Sequence, residues 1–106
     1  KYMDFIRNAF GAHAHGQLNF THFCEAQLVW DNIMAINTIE FLNKNPNHTI
    51  ILIIGSGHAW KKAIPKQISN RSNLSYAVIL QEVGVSISPR RITSEDADYI
   101  ILGHQT

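Results

Sequence analysis

Apolar residues recur every three to four positions along the first part of the chain, which is the spacing of one face of a helix. The pattern predicts a short helix over residues 1–10, which Gly11 would end, because glycine readily adopts the left-handed conformation found after many helices. It also predicts a long helix over residues 20–43, with Asn19 as its N-cap and Pro46 preventing its continuation. The first part of the chain is therefore predicted to be helical.

Unbroken apolar runs replace this spacing further along the chain, and such runs are typical of buried strands. They cover residues 49–54 and 76–81, and a third strand is predicted over residues 98–102. A short helix over residues 66–71, entered through Pro65, is predicted between the first two runs. Because helices alternate with strands, the predicted fold class is α/β, with a mostly parallel sheet and flanking helices.

The length of the chain, 106 residues, is enough for one domain at most. Three strands make a thin sheet for so long a helix, and Lys1 already lies within a helical pattern. We therefore expect part of a larger domain. In this interpretation residues 1–19 are the end of a helical subdomain, and residues 20–106 are the C-terminal half of an α/β domain.

The charges narrow the function classes. Nine basic and eight acidic side chains give a net charge of +1, and the absence of a basic stripe argues against nucleic-acid binding. Charged residues make up only 16% of the chain, so we expect part of its surface to be covered by a partner or by chain that this sequence does not include. Together with the exposed edges of a thin, isoleucine-rich sheet, the low charge also predicts self-association. The single cysteine, Cys24, excludes an internal disulfide and a cysteine-rich zinc site. No apolar run approaches the length of a membrane span.

Three polar side chains are predicted to meet at the carboxyl end of the first strand. His58 follows the Gly55-Ser56-Gly57 turn at this edge, which is where ligands bind in open α/β sheets. Gln27 and Asp31 lie one turn apart on the apolar face of the long helix, where buried polar groups need partners. The alternatives are an exposed histidine after an ordinary turn, and a Gln-Asp pair that only braces a loop.

The long helix and the glycine turn also carry a family resemblance. Residues 23–35 read FCEAQLVWDNIMA, which places an Ala-Gln, a Trp-Asp and a Met-Ala pair on one helix. A Gly-x-Gly-His sequence at residues 55–58 and then Ile64-Pro65 follow. This combination resembles the ChaN-like haem-binding lipoproteins of bacteria, although Ala63 replaces a glycine that many relatives have before the Ile-Pro.

The resemblance implies haem as the cofactor, held at a helical subdomain and a dimer interface by a tyrosine, with a histidine of the partner subunit in support. Imidazole and phenolate groups are both axial ligands of haem iron. In this chain we expect haem to bind through the segment before the long helix, at Tyr2, His13 and His15, beside apolar Phe5 and Phe10. Residues expected to line or support the ligand pocket are Gln27, Trp30, Asp31, Gly55, Ser56, Gly57 and His58.

The resemblance further implies an iron-acquisition lipoprotein of the bacterial cell envelope, in the periplasm or at the outer membrane. A homodimer is expected, with membrane contact only through a lipid anchor outside this sequence.

A more distant resemblance, to the TraB and TIKI group, gives the alternative function. Residues 55–58 fit a Gly-x-x-His motif, so a metal-dependent hydrolase half-domain would use His58 and possibly Asp31. His13 and His15 could bind one metal if their loop bends, since alternate residues of an extended chain point to opposite sides; otherwise they are simply solvated. With no second metal motif and no nucleophile elbow in the sequence, a binding protein is favoured over an enzyme.

Overall fold

The computed structural model describes residues 1–13 and 19–103, and within them the side chains of residues 1–11 and 19–103. Within the described residues four helices precede two short strands, and the strands pair in parallel, so the α/β class is confirmed. The elements are α1 (Tyr2–His13), α2 (Phe20–Lys44), α3 (Ser56–Ala59), α4 (Ile64–Arg71), β1 (Ile79–Gln81) and β2 (Tyr99–Ile101).

Helix α2 confirms the long predicted helix and its start. The Asn19 side chain accepts a hydrogen bond from the backbone amide of His22 at 2.8 Å, which satisfies one of the free amides of the first turn. The inner face of α2 buries Asp31, Ala35 and Thr38, which lie within one side of the helical wheel. Helix α4 is confirmed as well, with Pro65 in its first turn.

The predicted end of α1 is wrong. The helix continues through Gly11 to His13, because Gly11 keeps a negative φ instead of the left-handed conformation that would end the helix. A glycine inside a helix is unfavourable by only about 1 kcal/mol relative to alanine, which the packing of α1 can offset.

The predicted central strand over residues 49–54 is also wrong. These residues form no strand, and the side chains of Ile51 and Ile53 are 85% and 94% exposed. Leu52, Ile53 and Ile54 instead line an open cleft of about 290 Å³ beside β1. The apolar run therefore lies next to the sheet without forming a hydrogen-bonded ladder with it, and a strand exists only where such a ladder forms.

The two remaining strands lie within the predicted runs but are shorter, with Leu80 opposite Ile100 in the register. The strand over residues 76–81 was also predicted to be buried, but only one of its faces is. Leu80 is buried, whereas Ile79, Tyr99 and Ile101 are exposed, because the described helices cover only one face of the sheet.

Two clusters of buried side chains, as far as the described ranges extend, hold these elements together. Trp60 is the largest member of the first cluster, which lies beneath the strands and includes Leu80 and Ile87. The second cluster joins α2 to α4 through Ala35 and Ile64. Helix α3 contacts α1, α4 and β1, so it lies at the junction of the helices and the sheet.

Candidate functional site

A carboxylate–imidazole pair joins α2 to α3. His58 Nδ1 donates to Asp31 Oδ1 at 2.6 Å, and Asp31 is only 4% exposed. The helical period turns Asp31 inward, and the glycine turn delivers His58 to meet it, so the predicted approach of these two residues is confirmed. An imidazole whose Nδ1 is held by a carboxylate has a fixed tautomer and a fixed ring orientation.

The electrostatics of this pair are set by burial. Burial raises the pKa of Asp31 above its usual value, and the hydrogen bond from His58 opposes part of that rise. The two residues therefore depend on each other, because the imidazole is the only side-chain partner of the Asp31 carboxylate among the described residues. The pair can fix the position of α3 against α2.

Tyr2 joins α1 to the same place. Its hydroxyl donates to the carbonyl oxygen of Gly57 at 2.8 Å, and its ring lies 5.5 Å from that of Trp60. Burial raises the pKa of the Tyr2 phenol well above its usual value, and the nearby Asp31 carboxylate and Cys24 thiol raise it further. In this arrangement Tyr2 is a protonated hydrogen-bond donor to α3.

Gly57 is the tightest point of the site. A Cβ atom placed on it would lie 3.3 Å from Gln27 Nε2 and 3.4 Å from the Ile6 side chain, so glycine lets α1 and α2 approach α3 closely. Gly55 has open space at the equivalent position, and its carbonyl oxygen accepts from the His58 amide at 2.9 Å. The predicted glycine turn is thus one turn of helix, with Gln27 beside it.

The other predicted site residues lie elsewhere. Trp30 is 59% exposed on α2, whereas the neighbouring Asp31 is buried, so the two do not share a face. Ser56 lines the apolar cleft beside β1. His13 is the last residue of α1, without a described side chain, and His15 lies outside the described residues. The assigned roles of His13 and His15 remain predictions.

An aromatic cluster lies where α1 ends and α2 begins. The ring of Phe10 is 5.6 Å from that of Phe20 and 5.3 Å from that of Phe23, and the Arg7 guanidinium lies 4.1 Å over the Phe20 ring. Sequence reasoning identified Phe10 but gave no role to Arg7, Phe20 or Phe23. The spacing of Phe20 and Phe23 places them one turn apart on one face of α2, but it does not show that this face meets α1, and it gives no signal for Arg7.

No group of three or more His, Cys, Asp or Glu side chains that could hold a metal occurs in the described part of the chain. Within residues 1–13 and 19–103, none of the helices combines the length and hydrophobicity needed to cross a membrane.

Comparison with known proteins identifies the family. Residues 1–68 match the family described as "Haem-binding uptake, Tiki superfamily, ChaN". Searches of curated proteins and of solved structures gave no significant match. The matched residues include all of α1, α2 and α3, and therefore both the Asp31–His58 pair and the aromatic cluster. Because the match covers more than half of the chain, the chain belongs to the ChaN family of haem-binding uptake proteins in the Tiki superfamily.

Proposed function

We propose that this chain binds haem at the junction of α1 and α2 and serves haem-iron acquisition in the envelope of a bacterium. The observation that carries the proposal is the aromatic cluster of Phe10, Phe20 and Phe23, whose members come shortly before and shortly after His13 and His15 in the sequence. Membership of a haem-binding uptake family supports haem as the ligand.

The residues at this junction fit the chemistry of haem. A porphyrin needs an apolar surface for its faces, and the three phenylalanine rings are only partly buried, so they retain surface for a ligand. The haem propionates need cationic partners, and the Arg7 guanidinium lies at the edge of the same cluster. Bound haem would supply an iron centre that accepts an axial imidazole or phenolate ligand.

His13 and His15 are the proposed axial ligands. His13 ends α1, three residues after Phe10, so the backbone brings it to the same end of the helix as the aromatic cluster. Tyr2 is a second candidate, and it lies at the opposite end of α1. Its hydroxyl is hydrogen-bonded to Gly57, and its raised pKa disfavours the phenolate, so ligation by Tyr2 would require α1 to separate from α3.

The Asp31–His58 pair has a structural role in this proposal. It holds α3 against α2 while Tyr2 holds α3 against α1, and the two contacts together position the helices that form the junction. Gln27 and Gly57 support the same contact through their close approach. These residues therefore determine the shape of the haem surface without ligating iron.

The proposed biological setting follows from the uptake role. We propose a lipoprotein at the periplasm or outer membrane, with the lipid anchor outside this sequence and with a homodimer as the functional unit. The description of the family as a haem-uptake family supports an envelope role.

Haem titration followed by absorbance tests the proposal. The double variant His13→Ala/His15→Ala is expected to bind haem at least tenfold more weakly and to change the spectrum of the bound haem, because it removes the proposed axial donors. His48→Ala is the matched control, since His48 is exposed beyond the other end of α2. Tyr2→Phe distinguishes imidazole from phenolate ligation.

The proposal fails if the double variant keeps the affinity and spectrum of the wild type while His58→Ala loses both. Circular dichroism of each variant separates loss of a ligand from loss of the fold. Phe20→Ala should weaken binding without changing the spectral type, because it alters the apolar surface and leaves the axial donors intact.

A further inference from the structure

Arg7 lies at the aromatic cluster with its charge unpaired. Its side chain is exposed on α1, and its guanidinium lies 4.1 Å over the Phe20 ring. Among the described residues, no carboxylate lies within ion-pair distance of it. Asp4, one turn earlier on α1, is instead 3.9 Å from Arg91, and the first turn of α2 carries no acidic side chain. The positive charge beside the apolar rings is therefore available to a ligand.

The contact with Phe20 holds the guanidinium in place. A cation over the face of an aromatic ring is attracted by the electrons of the ring, and the guanidinium keeps N–H groups for other acceptors. Arg7 belongs to α1 and Phe20 to α2, so the position of the charge is set by both helices. A side chain that is already held loses less freedom when it binds an acceptor, which favours binding.

We propose, on the basis of the haem site proposed above, that Arg7 determines specificity there and selects tetrapyrroles whose propionates are free carboxylates. The guanidinium fork offers parallel N–H groups that match the two oxygens of a carboxylate. A neutral amide or ester in the same place carries no charge and offers a single carbonyl oxygen. The site therefore recognises the acidic edge of its ligand as well as the apolar faces.

This selection is independent of iron. The proposed axial donors, His13 and His15, recognise the metal, whereas Arg7 and the phenylalanine rings recognise parts of the macrocycle that are the same with or without a metal. The class of ligand is therefore wider than haem and includes the iron-free porphyrin acids. The preference for the free acid should have the same size in haem and in the iron-free porphyrin.

Two pairs of probes measure the selection on the 106-residue chain. Fluorescence anisotropy compares iron-free protoporphyrin with its neutral diamide, in which both propionates are converted to amides, and absorbance titration compares haem with haem diamide. The wild type should bind each acid about five- to tenfold more tightly than its diamide, since an exposed ion pair contributes appreciably when it is bidentate. The preference should shrink at high salt, because salt screens exposed charges.

Arg7→Gln separates recognition of the ligand from packing. This variant should bind the acid and the diamide with nearly equal affinity, because glutamine is polar but carries no charge. If Arg7 only joined α1 to α2, its loss would weaken both ligands to the same degree and leave their ratio unchanged. Arg7→Lys should retain part of the preference, since it keeps the charge without the fork. Arg90→Gln is the matched control, because it removes an exposed arginine outside the helices and should keep the wild-type ratio.

The outcomes distinguish this inference from the proposed function. A wild-type chain that binds haem but does not prefer acid over diamide would overturn the inference alone. An Arg7→Gln chain that keeps the wild-type ratio, or an Arg90→Gln chain that also loses it, would do the same. A preference found with haem but absent with the iron-free porphyrin would refute the independence from iron. A chain that binds neither haem nor porphyrin would overturn the proposed function and the inference together.

Discussion

Replacing His58 with alanine tests how strongly the fold depends on the single side-chain partner of the buried Asp31 carboxylate. In His58→Ala the carboxylate keeps its buried position, 4% exposed, and loses its 2.6 Å hydrogen bond. A hydrogen bond to a charged group contributes about 1.5–3 kcal/mol, and a buried charge left without its partner adds a further penalty. We expect His58→Ala to lower the free energy of unfolding by about 2–4 kcal/mol.

Removing the carboxylate of Asp31 should lower the free energy of unfolding by less than removing the imidazole does. In Asp31→Ala the imidazole is left without its carboxylate, but it is partly exposed and can bond to water, so we expect a loss of about 1–2 kcal/mol. The double variant should then be less destabilised than the sum of the two single variants. The difference, a coupling energy of about 1–3 kcal/mol, measures the pair itself.

The stability lost in His58→Ala should also depend on pH, and the direction follows from the pKa of Asp31. Because the pKa of Asp31 is raised in the folded state, its contribution to folding is most favourable at low pH and declines as the pH rises from the unfolded pKa to the folded pKa. Removing His58 raises the folded pKa further, since the imidazole opposes the effect of burial. The decline then continues to higher pH, so the variant should be closest to the wild type near pH 3.5 and furthest from it near pH 7.

Urea unfolding followed by tryptophan fluorescence measures both effects. Trp60 is buried and reports on the core, and Trp30→Phe removes the signal of the exposed indole. His48→Ala is the control for the loss of an exposed imidazole. Single-variant effects that simply add, or a His58→Ala loss that is the same at both pH values, would refute the assigned coupling.

Three further perturbations test separate contacts. Tyr2→Phe should lower the free energy of unfolding by about 1 kcal/mol, because the hydrogen bond to Gly57 is lost. The raised pKa keeps Tyr2 protonated near pH 10, so the variant should show the same phenolate absorbance as the wild type at this pH. A lower absorbance in the variant would contradict this. Asn19→Ala removes the N-cap, so it should lower the free energy of unfolding by about 1 kcal/mol and shorten α2. Urea unfolding and circular dichroism measure these two effects. Asn19→Ser should retain most of the stability. Asp96→Asn should lower the free energy of unfolding by about 1–3 kcal/mol at pH 7. Burial alone raises the Asp96 pKa, but hydrogen bonds from Lys1 and the backbone hold it below its usual value, so the loss should shrink as the pH falls below the ordinary aspartate pKa and through the lowered pKa of the folded state. A loss that does not depend on pH would contradict this.

Local patterns predicted the parts of this chain that depend on neighbouring residues. The position of α2 followed from its 3.6-residue period and from Asn19, since a helix and its cap form within one stretch of chain. The approach of Asp31 and His58 needed one further step, the inward direction of one helical face. The family followed from residues 23–35 and 55–58, which lie within the matched region.

Patterns that depend on distant partners were less informative. The run at residues 49–54 has the composition of a buried strand, but a strand requires a hydrogen-bonded neighbour, which composition does not specify. The aromatic cluster joins Phe10 to Phe20 and Phe23 across a helix–helix junction. Its assembly depends on how α1 folds back on α2, which no local spacing determines.

Helix α3 has a consequence for the dynamics of the chain. Four residues are too few to form a stable helix alone, so the order of α3 depends on the hydrogen bond that Gly57 accepts from Tyr2 and the one that His58 donates to Asp31. If α1 or α2 separates from α3, α3 should lose its order as well. The backbone amides of residues 57–60 should therefore exchange with solvent deuterium together with the less stable of these two helices, as one cooperative unit. Since Tyr2 lies at the other end of α1 from the aromatic cluster, the exchange rate of α3 would also register any ligand that displaces α1.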